Sequence, residues 1–244
     1  MKTGYSFLPS TIILNVAIVV KAAADTAPMD LKRRVSISWS GGKDSAFALY
    51  KTLQSGTCQV VSLHTVIGKD NSRVGLHGIC EELIEQQARS LGLPLEKIYL
   101  DAAQDHIAYE QCMQQYYTAA ANSVDAIVFG DIYLEDLKRY RQQLLEVSGL
   151  GAVFPLWQVH PKELIGEFLN AGFRTAICAC NDELYRLNAA GTVLSHEFVN
   201  QLPPSIDPCG ERGEFHTFVF DGPIFNYPID YSLGATLSKE YQYN

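Results

Sequence analysis

Hydrophobic and polar residues follow two alternating patterns along most of the chain. Short, mostly apolar runs between polar or glycine residues are typical of buried strands, and longer segments with apolar residues every three or four positions are typical of helices. The first pattern predicts strands at residues 35–39, 59–64, 97–100, 126–129 and 152–154. The second predicts helices at residues 46–53, 79–91, 107–121 and 134–147. This alternation favours a parallel sheet that is covered by helices.

The pattern changes after about residue 155. It predicts a helix at residues 162–170 and strands at residues 175–180 and 216–220, with a looser region containing glycine and proline between them. A chain of 244 residues is long enough for one large α/β domain with a small appendage. We therefore expect a domain at residues 29–155 with a five-stranded parallel sheet, and a smaller α+β unit on the substrate side at residues 156–244.

The first 28 residues precede both predicted units. Lys2, an apolar stretch at residues 12–20 and the three alanines at residues 22–24 resemble a weak secretory signal. Met29 stands just before the charged residues that lead into the first strand, so a translation start at Met29 is the second interpretation. In both cases residues 1–28 are predicted to be a dispensable extension.

The composition is that of an ordinary globular protein, with 47% hydrophobic and 19% charged residues. A net charge of −8 argues against a general nucleic-acid binder, which needs a basic face. The six cysteines form no CxxC pair and imply no disulfide framework, so we expect a cytoplasmic protein without membrane attachment. Cys178 and Cys180 could bind a metal or be redox-active, but two small buried side chains are the favoured interpretation.

Six residues, Ser40-Gly41-Gly42-Lys43-Asp44-Ser45, join the first predicted strand to the first predicted helix. Adjacent glycines allow backbone conformations in which N–H groups converge on an anion. The start of the helix adds a partial positive charge, and the side chains of Ser40, Lys43 and Ser45 add hydrogen-bond donors. The string is neither a Walker A loop nor GxGxxG. It predicts a phosphate site.

The same string, S-G-G-K-D-S, resembles the signature of the PP-loop family of ATP pyrophosphatases. This resemblance implies a Rossmann-like parallel sheet with helices on both faces, and cleavage of ATP between its α and β phosphates. Ligands of open parallel sheets bind beyond the carboxyl ends of the strands. The other polar groups predicted at those ends are His64-Thr65, Asp101, Gly130-Asp131 and residues 181–183.

Two aspartates are candidate ligands of Mg²⁺. Asp131 follows Gly130 at the end of a predicted strand, where a carboxylate can hold the ion against phosphate oxygens or can cap the next helix. Asp44 is either a second ligand or a residue that favours the start of its helix. For Asp44 and for Asp131, the role of Mg²⁺ ligand and the role at the start of a helix both stay open.

Two further segments carry candidate binding residues. Residues 71–78 are too many for a tight turn and are typical of functional loops, in which Arg73 could pair with phosphate and His77 could meet the nucleotide. Residues 209–217 place Glu211 and Arg212 between Gly210 and Gly213, with Glu214 after the second glycine, directly before the last strand. Because burying such a charged turn is costly, we expect it to line a cleft or face solvent.

Several of these strings together resemble the diphthine–ammonia ligase family, a branch of the PP-loop superfamily, over about residues 33–228. The matching strings are S-G-G-K-D-S at 40–45, R-x-x-x-H-G at 73–78, G-D-I-Y-L-E-D-L-K-R-Y-R at 130–141, G-E-R-G-E-F-H-T at 210–217 and D-G-P-I-F at 221–225.

The family resemblance implies a ligase that uses ATP, Mg²⁺ and ammonium. A substrate carboxylate would attack ATP to give an acyl-adenylate and pyrophosphate, and ammonia would then displace AMP to leave an amide. The nucleotide-binding residues are expected to be Ser40, Gly41, Gly42, Lys43, Asp44, Ser45, His64, Arg73, His77 and Gly130. Substrate binding is expected from Glu211, Glu214 and Thr217, catalysis from Lys43, Asp131 and Glu214, and Mg²⁺ binding from Asp44 and Asp131.

Two strings depart from the archaeal and eukaryotic ligases. The string at 130–141 resembles the form in bacterial relatives, and Phe215-His216-Thr217 replaces Y-E-T. Because bacteria do not make diphthamide, a bacterial protein would act on a different carboxylate, protein-borne or small.

No glutaminase-like Cys–His arrangement is assigned, so free ammonium is the expected nitrogen donor. The alternatives are an adenylating PP-loop enzyme with another substrate, plain ATP hydrolysis, or a nucleotide sensor without turnover; a homodimer is left open.

Overall fold

Five parallel strands form the centre of the fold, as the sequence predicts. The computed structural model describes residues 32–75, 77–101, 106–186 and 188–236, and the predicted extension at residues 1–28 lies outside them. In chain order the elements are β1 (Arg33–Ser38), α1 (Lys43–Ser55), β2 (Cys58–Gly68), β3 (Arg73–Val74), β4 (Ile79–Cys80), α2 (Glu81–Leu91), β5 (Leu95–Leu100), α3 (His106–Ala120), β6 (Ala126–Val128), α4 (Glu135–Glu146), β7 (Gly151–Val153), α5 (Pro161–Asn170), β8 (Arg174–Cys180), α6 (Asp182–Arg186), α7 (His196–Gln201) and β9 (Phe215–Asp221).

The parallel strands lie in the order β5-β2-β1-β6-β7. The chain moves from β1 through α1 to β2 on one side, whereas β6 pairs with β1 on the other side. The connections therefore reverse direction between β1 and β6, and the crevice beyond the carboxyl ends of these two strands is where open α/β sheets bind ligands.

The segment predicted as a long loop at residues 71–78 differs from that prediction. It includes a short hairpin, in which β3 pairs with β4 and also with the end of β2, where Val74 lies opposite Ile67. Ile79 and Cys80 belong to β4, so α2 begins at Glu81 rather than at residue 79. Val74 and Ile79 are buried, which explains why the chain folds back there instead of forming an open loop.

Helices cover both faces of the sheet, which makes this an α/β fold as predicted. Ala126 and Val128 of β6 face one core, which also includes buried residues of α1, α2 and α5. Ile127 and Phe129 face a second core with residues of α3 and α4. The alternation follows from the two-residue period of a strand, and it explains why a strand buried on both faces is apolar throughout.

The C-terminal part adds a second, two-stranded antiparallel sheet formed by β8 and β9. Its buried residues, including Ile177 and Val219, belong to the same core as α1. The side chain of Phe47 in α1 joins this packing, with its ring centroid 5.6 Å from that of Phe168. None of the helices in the described ranges is both long enough and apolar enough to span a membrane. The predicted boundary at residue 155 stays a prediction.

Candidate active site

The Ser40–Ser45 loop lies at the crevice between β1 and β6. Gly41 has a φ of 80°, a left-handed conformation that glycine adopts without steric cost. Gly130 follows β6 and touches the backbone of the loop, because a Cβ atom on it would come 2.7 Å from the carbonyl carbon of Asp44. The two strand ends therefore meet through glycine, and the first turn of α1 starts at that contact.

Lys43 is the buried cation of this site. Its Nζ donates to both carboxylate oxygens of Asp44, at 2.8 and 2.9 Å, and lies 5.4 Å from the ring centroid of Phe215. Burial alone would lower the pKa of Lys43, but the charges of Asp44 and its other acidic neighbours outweigh burial and raise this pKa above its ordinary value. Lys43 is therefore charged at neutral pH and can stabilise negative charge that develops on phosphate oxygens.

Asp131 follows β6 beside the loop. Its side chain is 9% exposed, and Oδ2, which has no hydrogen-bond partner, lies 3.5 Å from Nε of Arg141. Burial raises the pKa of Asp131, the Arg141 charge opposes that shift, and the Asp44 charge adds to it. Apart from this ion pair with Arg141, the buried Oδ2 has no hydrogen-bond donor, so it fits a cation held jointly with phosphate oxygens. No group of three or more metal-binding side chains occurs in the described ranges.

Glu211 reaches the same crevice from the C-terminal part. Its Oε1 accepts a hydrogen bond at 2.9 Å from the backbone N–H of Ile132, the residue that follows Asp131 in the chain. Burial raises the pKa of Glu211 to about 7, opposed by the Ile132 N–H group and reinforced by the charge of Asp44. A carboxyl group with this pKa can exchange a proton near neutral pH.

Two imidazoles lie on another side of the loop. The ring centroids of His77 and His216 are 4.6 Å apart, and a Cβ atom on Gly42 would come 2.7 Å from Cε1 of His77. Burial, the neighbouring His216 and Lys43 together lower the pKa of His77 to about 3. Burial followed by the Lys43 charge also lowers the pKa of His216. Both rings are neutral at pH 7. The structure thus places His77 at the loop, where the sequence predicts it.

Three predicted site residues have other contacts in the structure. His64 is buried inside the sheet, with Nδ1 2.9 Å from Oγ of Ser36 and its ring against Tyr116. Arg73 is exposed and donates to the Gly78 carbonyl at 2.5 Å, within its own hairpin. Both oxygens of Glu214 accept backbone N–H groups of residues 207 and 212, so this carboxylate organises its own turn.

Thr217, which the sequence predicts as a substrate-binding residue, contacts the backbone of the Ser40–Ser45 loop. Its Oγ1 accepts a hydrogen bond from the Lys43 N–H at 2.9 Å, and its carbonyl oxygen lies 3.3 Å from Nδ1 of His77. Thr217 therefore orders the start of α1 and the adjacent imidazole. Contact with a substrate stays a prediction.

Gln87 is a site residue that the sequence reasoning missed. It is completely buried, and its amide group bonds to the Trp39 indole, to the Gly41 carbonyl and to the Val219 carbonyl. The available signal was a polar residue inside the apolar stripe of a helix, beside Ile84 and Ala88. Arg141 was also missed, because nothing in the local sequence indicates that it reaches Asp131.

The two neighbouring cysteines are not a buried pair. Cys178 is exposed and Cys180 is half-buried, so the favoured interpretation of two buried side chains is wrong. The register between β8 and β9 shifts between Ile177 and Ala179. This irregularity places Cys178 at the surface of the sheet. Neither residue belongs to a three-ligand metal group among the residues that the structure describes.

Known proteins resemble this chain in sequence and, more weakly, in structure. Family models match it twice: the diphthamide synthase N-terminal domain over residues 33–152 and the diphthamide synthase C-terminal domain over residues 160–242. The diphthine–ammonia ligase of Danio rerio is 24% identical over 221 residues, covering 78% of this chain and 83% of that protein. The solved U34-tRNA thiolase of Methanococcus maripaludis with its 4Fe–4S cluster is 12% identical, with a TM-score of 0.36, and covers 57% of this chain and 58% of that one.

Proposed function

Because the chain belongs to the diphthamide synthase family, we propose that it is an ATP-dependent ligase that forms AMP and pyrophosphate. The observation that carries this proposal is the Ser40–Ser45 loop beside Gly130, with the buried, charged Lys43 within it. A relative with 24% identity is a diphthine–ammonia ligase, which supports amide formation from a carboxylate and ammonia.

In the first step, an oxygen of the substrate carboxylate attacks the α-phosphorus of ATP. The bond between that phosphorus and the bridging oxygen of the β-phosphate breaks, and pyrophosphate leaves with the electron pair. Loop N–H groups and Lys43 stabilise the growing charge on the leaving group. Mg²⁺, when bound, neutralises phosphate charge, and the residues that would hold it are Asp131 and Asp44.

In the second step, ammonia attacks the carbonyl carbon of the acyl-adenylate. The carbon–oxygen bond to AMP breaks, and AMP leaves with the electron pair as the amide forms. Ammonium must lose one proton before it attacks and the new amide loses another. Glu211 is suited to accept a proton there, because its pKa is about 7 and it lies at the crevice.

Product analysis tests the proposal directly. The protein is incubated with ATP, Mg²⁺, ammonium and a cell-metabolite extract, and products are identified by mass spectrometry. We expect AMP, pyrophosphate and a new amide. ADP as the nucleotide product would indicate plain hydrolysis. Bound nucleotide without pyrophosphate release would indicate a nucleotide sensor. Either result would refute the proposed ligase activity.

A matched pair of lysine variants tests the role of the loop. Lys43→Ala removes the buried cation, so we expect AMP formation to fall at least a hundredfold while the protein stays folded. Lys51→Ala is the control in the same helix, because Lys51 pairs with Glu167 at 2.6 Å, away from the loop. Equal activity of the two variants would contradict the role of Lys43.

A further inference from the structure

The side chain of Gln87 contacts three separate parts of the chain at the loop. Its Oε1 accepts from the Trp39 indole N–H at 2.9 Å, and its Nε2 donates to the Gly41 carbonyl at 3.0 Å and the Val219 carbonyl at 2.6 Å. The orientation of the amide follows from its partners, because an indole can only donate and a carbonyl can only accept. The side chain is completely buried.

The peptide between Gly41 and Gly42 is fixed by two donors. Its carbonyl oxygen accepts from Gln87 Nε2 and also from the backbone N–H of Val219 at 2.9 Å. In a trans peptide the carbonyl and the N–H point in opposite directions. Because the oxygen is held toward α2 and β9, the Gly42 N–H is directed away from them, and it donates to Oγ of Ser40 at 3.3 Å.

The space around Gly41 leaves no room for a side chain. A Cβ atom on Gly41 would come 2.5 Å from Cδ1 of Ile84 and 2.8 Å from Oε1 of Gln87. The loop backbone therefore rests directly on α2. A phosphate-binding loop needs its N–H groups aimed before the ligand arrives, because reorienting them during binding costs free energy.

We propose that Gln87 is a positioning residue that holds the peptide between Gly41 and Gly42 in the orientation in which the loop receives the phosphates. This inference rests on the proposed function, since it takes phosphate as the ligand of the Ser40–Ser45 loop. Gln87 itself touches only protein groups. It acts through the Gly41 carbonyl, and it also links the loop to β9 through Val219.

The test compares phosphate binding with stability. Gln87→Met keeps the length of the side chain but removes its donors and its acceptor. Pyrophosphate binding is measured by isothermal titration calorimetry in the presence of Mg²⁺, and unfolding is measured with urea. The control is Leu145→Ala, a destabilising change in the core on the opposite face of the sheet. We expect Gln87→Met to weaken pyrophosphate binding at least tenfold and Leu145→Ala to change it less than twofold.

Two results would overturn the positioning role. One is binding of pyrophosphate by Gln87→Met within twofold of the control. The other is equal weakening in both variants, which would trace the loss to stability. If Gln87→Met does not fold, Gln87→Glu replaces it, because that variant keeps the acceptor for Trp39 and presents a carboxyl oxygen, instead of the NH₂ group, to the Gly41 and Val219 carbonyls. Absence of both pyrophosphate and ATP binding in the wild-type protein would instead overturn the proposed function, and this inference with it.

Discussion

The backbone N–H of Lys43 donates a hydrogen bond of 2.9 Å to Oγ1 of Thr217, a residue 174 positions further along the chain. The residue before the helix, Gly42, has no side chain that could cap α1. From β9, Thr217 supplies a side-chain oxygen for one of the first-turn N–H groups that have no partner within a helix. The start of α1 is therefore complete only when β9 is in place.

Replacing Thr217 by Val tests this cap. Valine has nearly the same shape but no oxygen, so the buried Lys43 N–H loses its partner. We expect a loss of about 1–2 kcal/mol in the free energy of unfolding, measured by urea denaturation. Thr217→Ser keeps the hydroxyl and is the control. If the valine and serine variants were equally stable, the bond would have no capping role.

The sequence predicts the main strands and helices because each carries its own periodicity. Val35 to Trp39, the glycine pair and the following helix can be identified together from adjacent residues. The pairing of Lys43 with Thr217 cannot, since it joins segments that are distant in the chain and depends on how β9 packs on α1. Local patterns also cannot show whether a polar residue inside a helix, such as Gln87, faces solvent or a buried carbonyl.

Local sequence patterns also do not predict the role of each residue in the candidate site. The motif at residues 210–217 marks two glutamates without separating their roles. Glu214 satisfies the backbone of its own turn, whereas Glu211 contacts Ile132 beside the loop. His64 was predicted near the nucleotide because it stands close to the end of a strand. Its side chain points into the α3 face, where Ser36 and Tyr116 contact it.

Gly130→Ala should disrupt the contact between β6 and the loop. The added Cβ would meet backbone atoms of Asp44 at 2.7 and 2.8 Å and the nitrogen of Ser45 at 3.0 Å. Backbone cannot rotate away as a side chain can, so the two strand ends must separate. We expect a loss of about 1–3 kcal/mol in stability and at least a tenfold loss of ATP affinity.

Gly166→Ala is the matched control for this change. Gly166 lies within α5, and no atom lies within 4 Å of a Cβ placed on it. Alanine is the better helix former, so this variant should be as stable as the wild type or about 1 kcal/mol more stable. ATP affinity like that of the wild type in Gly130→Ala would show that the glycine is not required at the crevice.

His64→Gln should change how stability depends on pH. Burial, aided by the Arg141 charge, lowers the pKa of His64 to about 3, compared with 6.5 for an ordinary histidine. The unfolded chain therefore binds a proton that the folded protein excludes between these values. The stability due to neutral His64 is complete above pH 6.5 and is lost as the pH falls toward 3, by up to about 1.4 kcal/mol per pH unit.

The comparison is made by urea denaturation from pH 8 to pH 4. At pH 8 the difference between His64→Gln and the wild type reports lost packing and the lost bond to Ser36. Below pH 6.5 that difference should shrink, because only the wild type has this histidine to protonate. A difference that stays constant over the whole range would contradict a buried, neutral His64.

Glu214→Gln should destabilise the turn at residues 207–214. The two carboxylate oxygens accept the N–H groups of Asp207, at 3.1 Å, and Arg212, at 3.0 Å. Glutamine offers only one oxygen and presents an NH₂ group to the other donor. Because Glu214 is buried, we expect a loss of about 1–3 kcal/mol in a thermal or urea unfolding experiment. Unchanged stability would mean that the turn does not depend on this carboxylate.

Glu211→Gln should have the opposite sign of pH dependence from His64→Gln. Burial raises the pKa of Glu211 to about 7 from 4.5, so the folded protein binds a proton that the unfolded chain has released between these values. Stability due to the protonated group is complete below pH 4.5 and is lost as the pH rises through 7. Glutamine stays neutral, so the variant should gain stability relative to the wild type from pH 4.5 to pH 7 and keep a constant advantage above that. Urea denaturation without nucleotide measures the difference in the free energy of unfolding between Glu211→Gln and the wild type. If this difference is constant from pH 4 to pH 8, Glu211 is not the group that titrates.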